Sequence, residues 1–128
     1  MQGKKMIFSI VLVALCIILT AAGQILLKKG MNQIGAITSV QQMLDFSLLL
    51  KVFTNVFVIT GILCFGLMLI FWMFALSGLD ISSTYPFTSI VYILTAFAAL
   101  LFLKENISLI QWVGMFLIVG GCILLANR

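Results

Sequence analysis

The chain has 128 residues, of which 64% are hydrophobic and only 8% charged, with a net charge of +4, one proline and no histidine. Soluble domains average about 45–50% apolar and about 25% charged residues, so this composition excludes an ordinary soluble domain and points to lipid as the solvent. The few positive charges are too sparse for a nucleic-acid-binding stripe and suit anionic headgroups instead.

Four stretches carry no charge: residues 6–27, 52–79, 81–103 and 106–127. Each exceeds the roughly 18–20 apolar residues that cross about 30 Å of hydrocarbon as a helix. The alternation of a barrel strand is absent, and lipid leaves an open backbone no hydrogen-bond partner. The expected fold is an all-α membrane protein. It is one domain of four transmembrane helices, at about 6–27, 52–77, 84–103 and 107–126, in a compact bundle with a short interfacial helix between the first and second.

Lys4 and Lys5 precede the first stretch, and "TAAG" at 20–23 has the small residues of a signal cleavage site. The uncharged core is longer than a usual signal core, so the segment reads as a span. Within it Cys16, Thr20, Gln24 and Lys28 recur every four residues, which stacks them in one row along a helix. The row ends in a cation, and Lys29 points about 100° away from it.

In the first connection Ser39 precedes Gln42 at capping-box spacing, and Ile34, Ile37, Val40, Leu44 and Leu48 recur at helical intervals. Residues 39–51 therefore read as an interfacial helix leading into the second span. The later connections, "SGLDISST" and "KEN", are short enough to make consecutive helices antiparallel neighbours.

In the third span Tyr85, Thr88, Ser89, Tyr92 and Thr95 fall within about a third of the helix circumference. Pro86 suits the start of that helix, where Ser83 or Thr84 can cap it. Lys104 at the end of the third helix and Glu105 near the start of the fourth each suit a helix dipole. In the fourth span Gly114 and Gly121 lie seven apart on one face with Gly120 adjoining. Small residues at that spacing let helices pack closely, either between chains or against another span of the same chain. Pairing is favoured, because four short helices enclose little interior. Cys16, Cys64 and Cys122 all lie inside expected helices and read as small hydrophobes, not as a disulfide or metal set.

Hydroxyls and amides also join helices without any ligand. Two whole polar rows in so small a chain point instead to a polar path between helices. Orientation is weakly marked: with alternating spans Lys4, Lys5 and Arg128 oppose Lys28, Lys29, Lys51 and Lys104, which gives the positive-inside rule little to act on. Three against four leaves two readings open: insertion in both orientations, or another role, such as binding an anion, for some of the second group.

"TAAGQILLKKGM" and "STYPFTSIVYILTAFAALLFLKENISLIQWVGMFLIVGGCILL", with the four-span layout, resemble the drug/metabolite transporter superfamily, in its small four-helix members. One branch comprises the small multidrug resistance exporters, proton-coupled antiparallel dimers; the other comprises subunits similar to the aminoarabinose-phosphoundecaprenol flippase. In the exporters a membrane-buried glutamate stands three residues before the glycine corresponding to Gly23. Here that position is Thr20, and none of the four stretches contains an acid. A buried carboxylate is costly and kept for such work, so cation–proton exchange lacks its carrier. Ala22–Gln24, Lys28 and Tyr85–Pro86 suit the flippase-like branch, while Gly114 and Gly121 match the dimer-forming pattern of the exporters.

The resemblance implies a translocase subunit, not an enzyme, that moves an anionic polyprenyl-phosphate lipid carrying a monosaccharide across a bacterial inner membrane. The tail of such a lipid can stay in the bilayer while its phosphate and sugar need a polar route. Thr20, Gln24, Lys28, Tyr85, Ser89 and Tyr92 are the expected substrate contacts, with Lys28 a point charge on the phosphate and the tyrosines facing the sugar. Lys29, Lys51, Lys104 and Glu105 are expected phosphate or headgroup contacts, and Gly114, Gly120 and Gly121 the packing face. No metal or cofactor is implied. The partners are membrane lipids and a second copy or a paralogous small subunit. Two other functions remain open: an exporter of small metabolites or drugs, and a non-transporting assembly subunit of a membrane glycosyltransferase.

Overall fold

The computed structural model describes residues 2–127, and the side chains of Gln2, Ser83, Tyr85 and Ala126 lie outside the description, as does Arg128. The regular structure described is helical throughout: α1 (Gln2–Ile34), α2 (Val40–Met43), α3 (Phe46–Thr54), α4 (Val56–Gly78), α5 (Ile81–Thr84), a 3₁₀ segment (Tyr85–Ser89), α6 (Ile90–Phe102) and α7 (Leu109–Ala126). By length and composition α1 and α4 can each cross a membrane, whereas the apolar stretches Pro86–Phe102 and Leu109–Leu125 are shorter.

The most extensive packing joins α1 to α4. Ser9 lies beside Gly78, Gly23 beside Gly61 and Phe65, and Gly30 beside Val58, so the two helices run antiparallel. Absent side chains make this approach possible. A Cβ on Gly61 would stand 3.1 Å from the carbonyl oxygen of Gly23, and one on Gly30 only 2.6 Å from Val58 Cγ2. In lipid such close backbone contact replaces the hydrophobic drive that water would supply. The Cys16 thiol adds a weak hydrogen bond to the Met68 carbonyl (3.4 Å), and the Asn55 amide donates to Gln33 Oε1 (3.0 Å). Leu12, Val13, Ile17 and Ala75 form the small buried core of this pair.

The segment between α1 and α4 differs from the single helix expected over 39–51. Ser39 does cap α2, accepting from the Gln42 N–H, but Gln42 Oε1 accepts from the Thr38 N–H instead of closing the box on Ser39. The helix then stops, because Asp45 accepts from the Ser47 N–H and hydroxyl and starts α3 afresh. Asn55 makes a second break by accepting from the N–H groups of Phe57 and Val58, so the helix expected to run from residue 52 begins at Val56. Asp and Asn favour such breaks because their short side chains compete for backbone donors. No residue of α2 or α3 is buried, and Val40, Leu44, Phe46 and Phe53 present large apolar side chains outward.

The third apolar stretch begins with the short α5 and continues as a 3₁₀ segment, with α6 regular only from Ile90. Thr84 does not cap it; its hydroxyl donates back to the Asp80 carbonyl (2.7 Å) and is buried. The alternative cap, Ser83, lies outside the described side chains. The α6–α7 connection ends in a capping box not anticipated above. Ser108 accepts from the Gln111 N–H, and Gln111 Oε1 accepts from the Ser108 N–H (2.9 Å). Phe97 and Trp112, with ring centroids 5.0 Å apart, join α6 to α7.

Candidate functional site: a groove between α1, α6 and α7

The side of α1 that carries Cys16, Thr20 and Gln24 borders two adjoining cavities. The first, about 590 Å³, lies among α1, α4, the 3₁₀ segment, α6 and α7, where Cys16, Thr20 and Gln24 meet Trp72, Ser89 and Tyr92. The second, also about 590 Å³, continues toward the α6–α7 connection and shares Gln24, Val91, Tyr92 and Ile118 with the first. Together they form one groove. Both polar rows read from the sequence border it: Cys16, Thr20 and Gln24 on one side, Thr88, Ser89, Tyr92 and Thr95 on the other.

The second row converges despite the 3₁₀ segment. Its tighter turn changes the angular step between Thr88 and the residues of α6. Thr88 and Ser89 nonetheless line the first cavity, Thr95 the second, and Tyr92 both. The Tyr85 side chain lies outside the description.

The hydroxyls differ in what they have left to offer a ligand. Thr20 donates to the Cys16 carbonyl one turn back (2.7 Å), so its oxygen remains only as an acceptor. Thr54, Thr60 and Thr84 bond back in the same way. Thr95 does not: its buried Oγ1 has no hydrogen-bond partner. Such a group loses water without compensation, at a cost of about 1–3 kcal/mol, unless something enters the groove to meet it. Nothing in the residue type distinguishes Thr95 from the other threonines in the sequence.

The charged residues divide. Lys28 is exposed one turn beyond Gln24 and lines neither cavity. Lys29 turns the other way, with its Nζ 4.9 Å from the Phe57 ring centroid, a cation–π contact to α4. Lys51 occupies the last turn of α3. Lys104 lies just past α6 with φ of 55°, and Glu105 three residues before the Ser108 cap of α7. Glu105 is therefore outside the first helical turn where a dipole acts, contrary to the sequence expectation; it lines the second cavity instead. A left-handed backbone is normally left to glycine or asparagine, so neither Lys104 nor Glu105 announces this turn in the sequence.

Gly114 lines the second cavity, and Gly120 and Gly121 are exposed. A Cβ at any of the three would meet no atom of another described segment within 4 Å, so no other described helix closes on them.

The curated proteins similar to this chain include the following two. Both are named "Probable 4-amino-4-deoxy-L-arabinose-phosphoundecaprenol flippase subunit ArnE". The protein of Escherichia coli O81 (strain ED1a) is 30% identical over 64 residues, 50% of this chain and 58% of the relative. That of Escherichia fergusonii is 28% identical over 67 residues, 52% of this chain and 60% of the relative. The chain thus spans somewhat over half the length of the curated relatives it matches. No solved structure matches. The EamA-like transporter family model matches residues 7–127, nearly the whole chain, which gives the membrane helices and the groove a common context: the chain belongs to the EamA-like transporter family, within the drug/metabolite transporter superfamily.

Proposed function

We propose that this chain is a subunit of a membrane translocase that moves an anionic polyprenyl-phosphate lipid bearing a monosaccharide across a bacterial inner membrane. The observation that carries this reading is the convergence of the two polar rows on one groove, with a lysine a turn beyond its end. In this reading α1, α4, the 3₁₀–α6 unit and α7 each cross the bilayer as a single four-helix domain. The two shorter ones, about 25 Å long at 1.5 Å per residue, need modest thinning of the bilayer around them.

The hydrocarbon tail stays in lipid while the headgroup follows the groove. Thr20 accepts, Gln24 donates and accepts, and Ser89, Tyr92 and the Tyr85 hydroxyl supply further hydrogen bonds. Lys28 meets the phosphate at the groove's end, with Lys29, Lys51 and Lys104 adding positive potential there. Gly114, Gly120 and Gly121 receive a second copy or a paralogous small subunit, which narrows the groove from its open side. The relatives' name favours a sugar-phosphate polyprenyl cargo.

Reconstitution tests this reading. Vesicles containing the chain and its partner should transfer a fluorescent polyprenyl phosphate between leaflets and should not accumulate ethidium against a gradient, since α1, α4, α6 and α7 place no acid within their apolar stretches. Robust proton-driven ethidium export with no lipid transfer would replace it by the multidrug exporter reading. Loss of partner stability without loss of transfer, on changing the groove, would favour an assembly subunit.

A further inference from the structure

A third cavity, about 440 Å³, differs in kind from the groove. Met6, Ile10, Val13, Ala14 and Ile17 lie within about 100° of arc on α1 and form one wall of it. Phe87 of the 3₁₀ segment and Ile90 at the start of α6 also line it, with Leu79 and Thr84 between them and α4. Val13, Ile17 and Thr84 are buried and make its floor, whereas Met6, Ile10, Phe87 and Ile90 are exposed and make its rim. Thr84 is the one polar residue in the lining, and its hydroxyl already donates to the Asp80 carbonyl (2.7 Å). The cavity therefore asks an occupant for no hydrogen bond, the opposite of what the unpartnered Thr95 oxygen asks in the groove. An apolar cavity of about 150 Å³ stays dry and takes up benzene. One of about 440 Å³ has room for a length of hydrocarbon chain.

Depth and charge say which chain. The uncharged part of α1 starts at Met6. From there to Ile17 the cavity wall covers about 16 Å at 1.5 Å per residue, about half of a hydrocarbon core roughly 30 Å thick. The cavity thus opens at headgroup level and ends near the bilayer midplane, which is the reach of one leaflet's acyl chain. Lys4 and Lys5 stand in the first turn of α1, exposed and diverging to either side of the Met6–Ile17 row, and neither forms an ion pair among the described residues. Lysines placed so lay their stems on apolar surface and present the ammonium to headgroups. Ser9 lies beside Gly78, so Asp80 stands at the same end of the molecule, and two lysines against one aspartate leave it one net positive charge.

We propose that this cavity is a binding site for a bilayer lipid, in which one acyl chain of an anionic glycerophospholipid lies along the Met6–Ile17 row with its phosphate at the level of Lys4 and Lys5. The site does not depend on what the groove carries. Lys28, assigned above to the cargo's phosphate, is at the other end of α1, so the two lipids present their charges on opposite sides of the membrane. The seated chain restores dispersion contacts that an empty cavity forfeits between α1 and the 3₁₀ segment. Ile17 lines both this cavity and the first half of the groove, which places the end of the chain one side chain away from the cargo's path.

The experiment reconstitutes the full chain in vesicles of phosphatidylglycerol and phosphatidylcholine with identical acyl chains, extracts it in mild detergent and reads the lipid retained per chain by native mass spectrometry. Wild-type protein should retain one phospholipid and prefer phosphatidylglycerol about fivefold, the effect of one net charge near the headgroup. Ala14→Phe puts a ring into the cavity from an exposed position and should abolish retention of both lipids at an unchanged melting temperature; Ile90→Phe does the same from the other wall. Lys4→Gln combined with Lys5→Gln should keep one bound phospholipid and lose the preference. Wild type that retains no phospholipid, retention undiminished by both cavity-filling variants, or a preference that survives loss of the two lysines overturns the proposal. Displacement of phosphatidylglycerol by added polyprenyl phosphate, one for one, also overturns it and gives the cavity to the cargo's tail. Transfer of polyprenyl phosphate between leaflets, measured separately, decides the translocation reading on its own.

Discussion

The α1–α4 seam and the α7 face both carry glycines, but in opposite surroundings. Gly23, Gly30 and Gly61 are buried where two backbones touch, and a methyl group at any of them would press on a neighbouring atom at 3.1 Å or less. Gly114, Gly120 and Gly121 border open space. The first set stabilises the protomer, since a missing Cβ there converts directly into van der Waals contact. The second set takes no close contact from another described segment and suits the approach of something outside this chain. The polar rows fall on the loosely packed side, where a groove can exist at all.

The largest effects should come from the seam. Gly30→Leu forces a branched side chain into a site that cannot accept even one carbon beyond the backbone, and should prevent stable folding in detergent. The milder Gly61→Ala should cost about 1–3 kcal/mol by overpacking against Leu27 and the Gly23 backbone, read as a lowered melting temperature. A seam variant that left thermal stability untouched would break the comparison from its tight side.

Next in size are the lysines at the end of α1. Lys28→Gln should weaken binding of polyprenyl phosphate roughly tenfold to a hundredfold, the loss of charge-assisted hydrogen bonds worth about 1.5–3 kcal/mol. Lys29→Gln should leave that binding nearly unchanged and instead lower stability by about 0.5–1 kcal/mol, because its cation sits over Phe57. Equal effects of the two on lipid binding would assign both lysines to the membrane surface.

On the open face, Gly120→Leu with Gly121→Leu should reduce crosslinked oligomers while leaving the stability of the isolated chain within about 0.5 kcal/mol of wild type, as expected for substitutions that touch nothing. These two positions separate pairing from cargo binding better than Gly114, which also lines the groove. Unchanged oligomers in the double variant would remove α7 as the pairing surface. The smallest effect is expected at Lys104. Glycine there should relieve the left-handed backbone and raise stability by up to about 1 kcal/mol.

Much of this arrangement is legible in the amino-acid pattern alone. Uncharged stretches mark the long helices, and the four-residue spacing of Cys16, Thr20 and Gln24 anticipates one wall of the groove. What escapes has a physical cause in each case. The breaks at Asp45 and Asn55 depend on which nearby N–H groups a short polar side chain captures, and many such residues capture none. Gly23 and Gly61 matter only because helix packing brings them together across 38 positions, a pairing that no local pattern records. Glu105 enters the groove through a backbone conformation that its neighbour Lys104 adopts against its own preference. The Ser108–Gln111 box, by contrast, is plain in the sequence, with the same spacing as Ser39 and Gln42.

The central claim is that the groove between α1, α6 and α7 carries the lipid's polar end, and Gln24 tests it most directly because its side chain borders both cavities. Leucine at this position keeps most of the bulk and removes the hydrogen bonds, on a residue whose exposure leaves the fold little reason to object. The measurement is the rate at which fluorescent polyprenyl phosphate crosses between leaflets of vesicles holding equal amounts of wild-type or Gln24→Leu protein. The groove account predicts a fall of about tenfold with an unchanged melting temperature, whereas full transfer by the stable variant would contradict it.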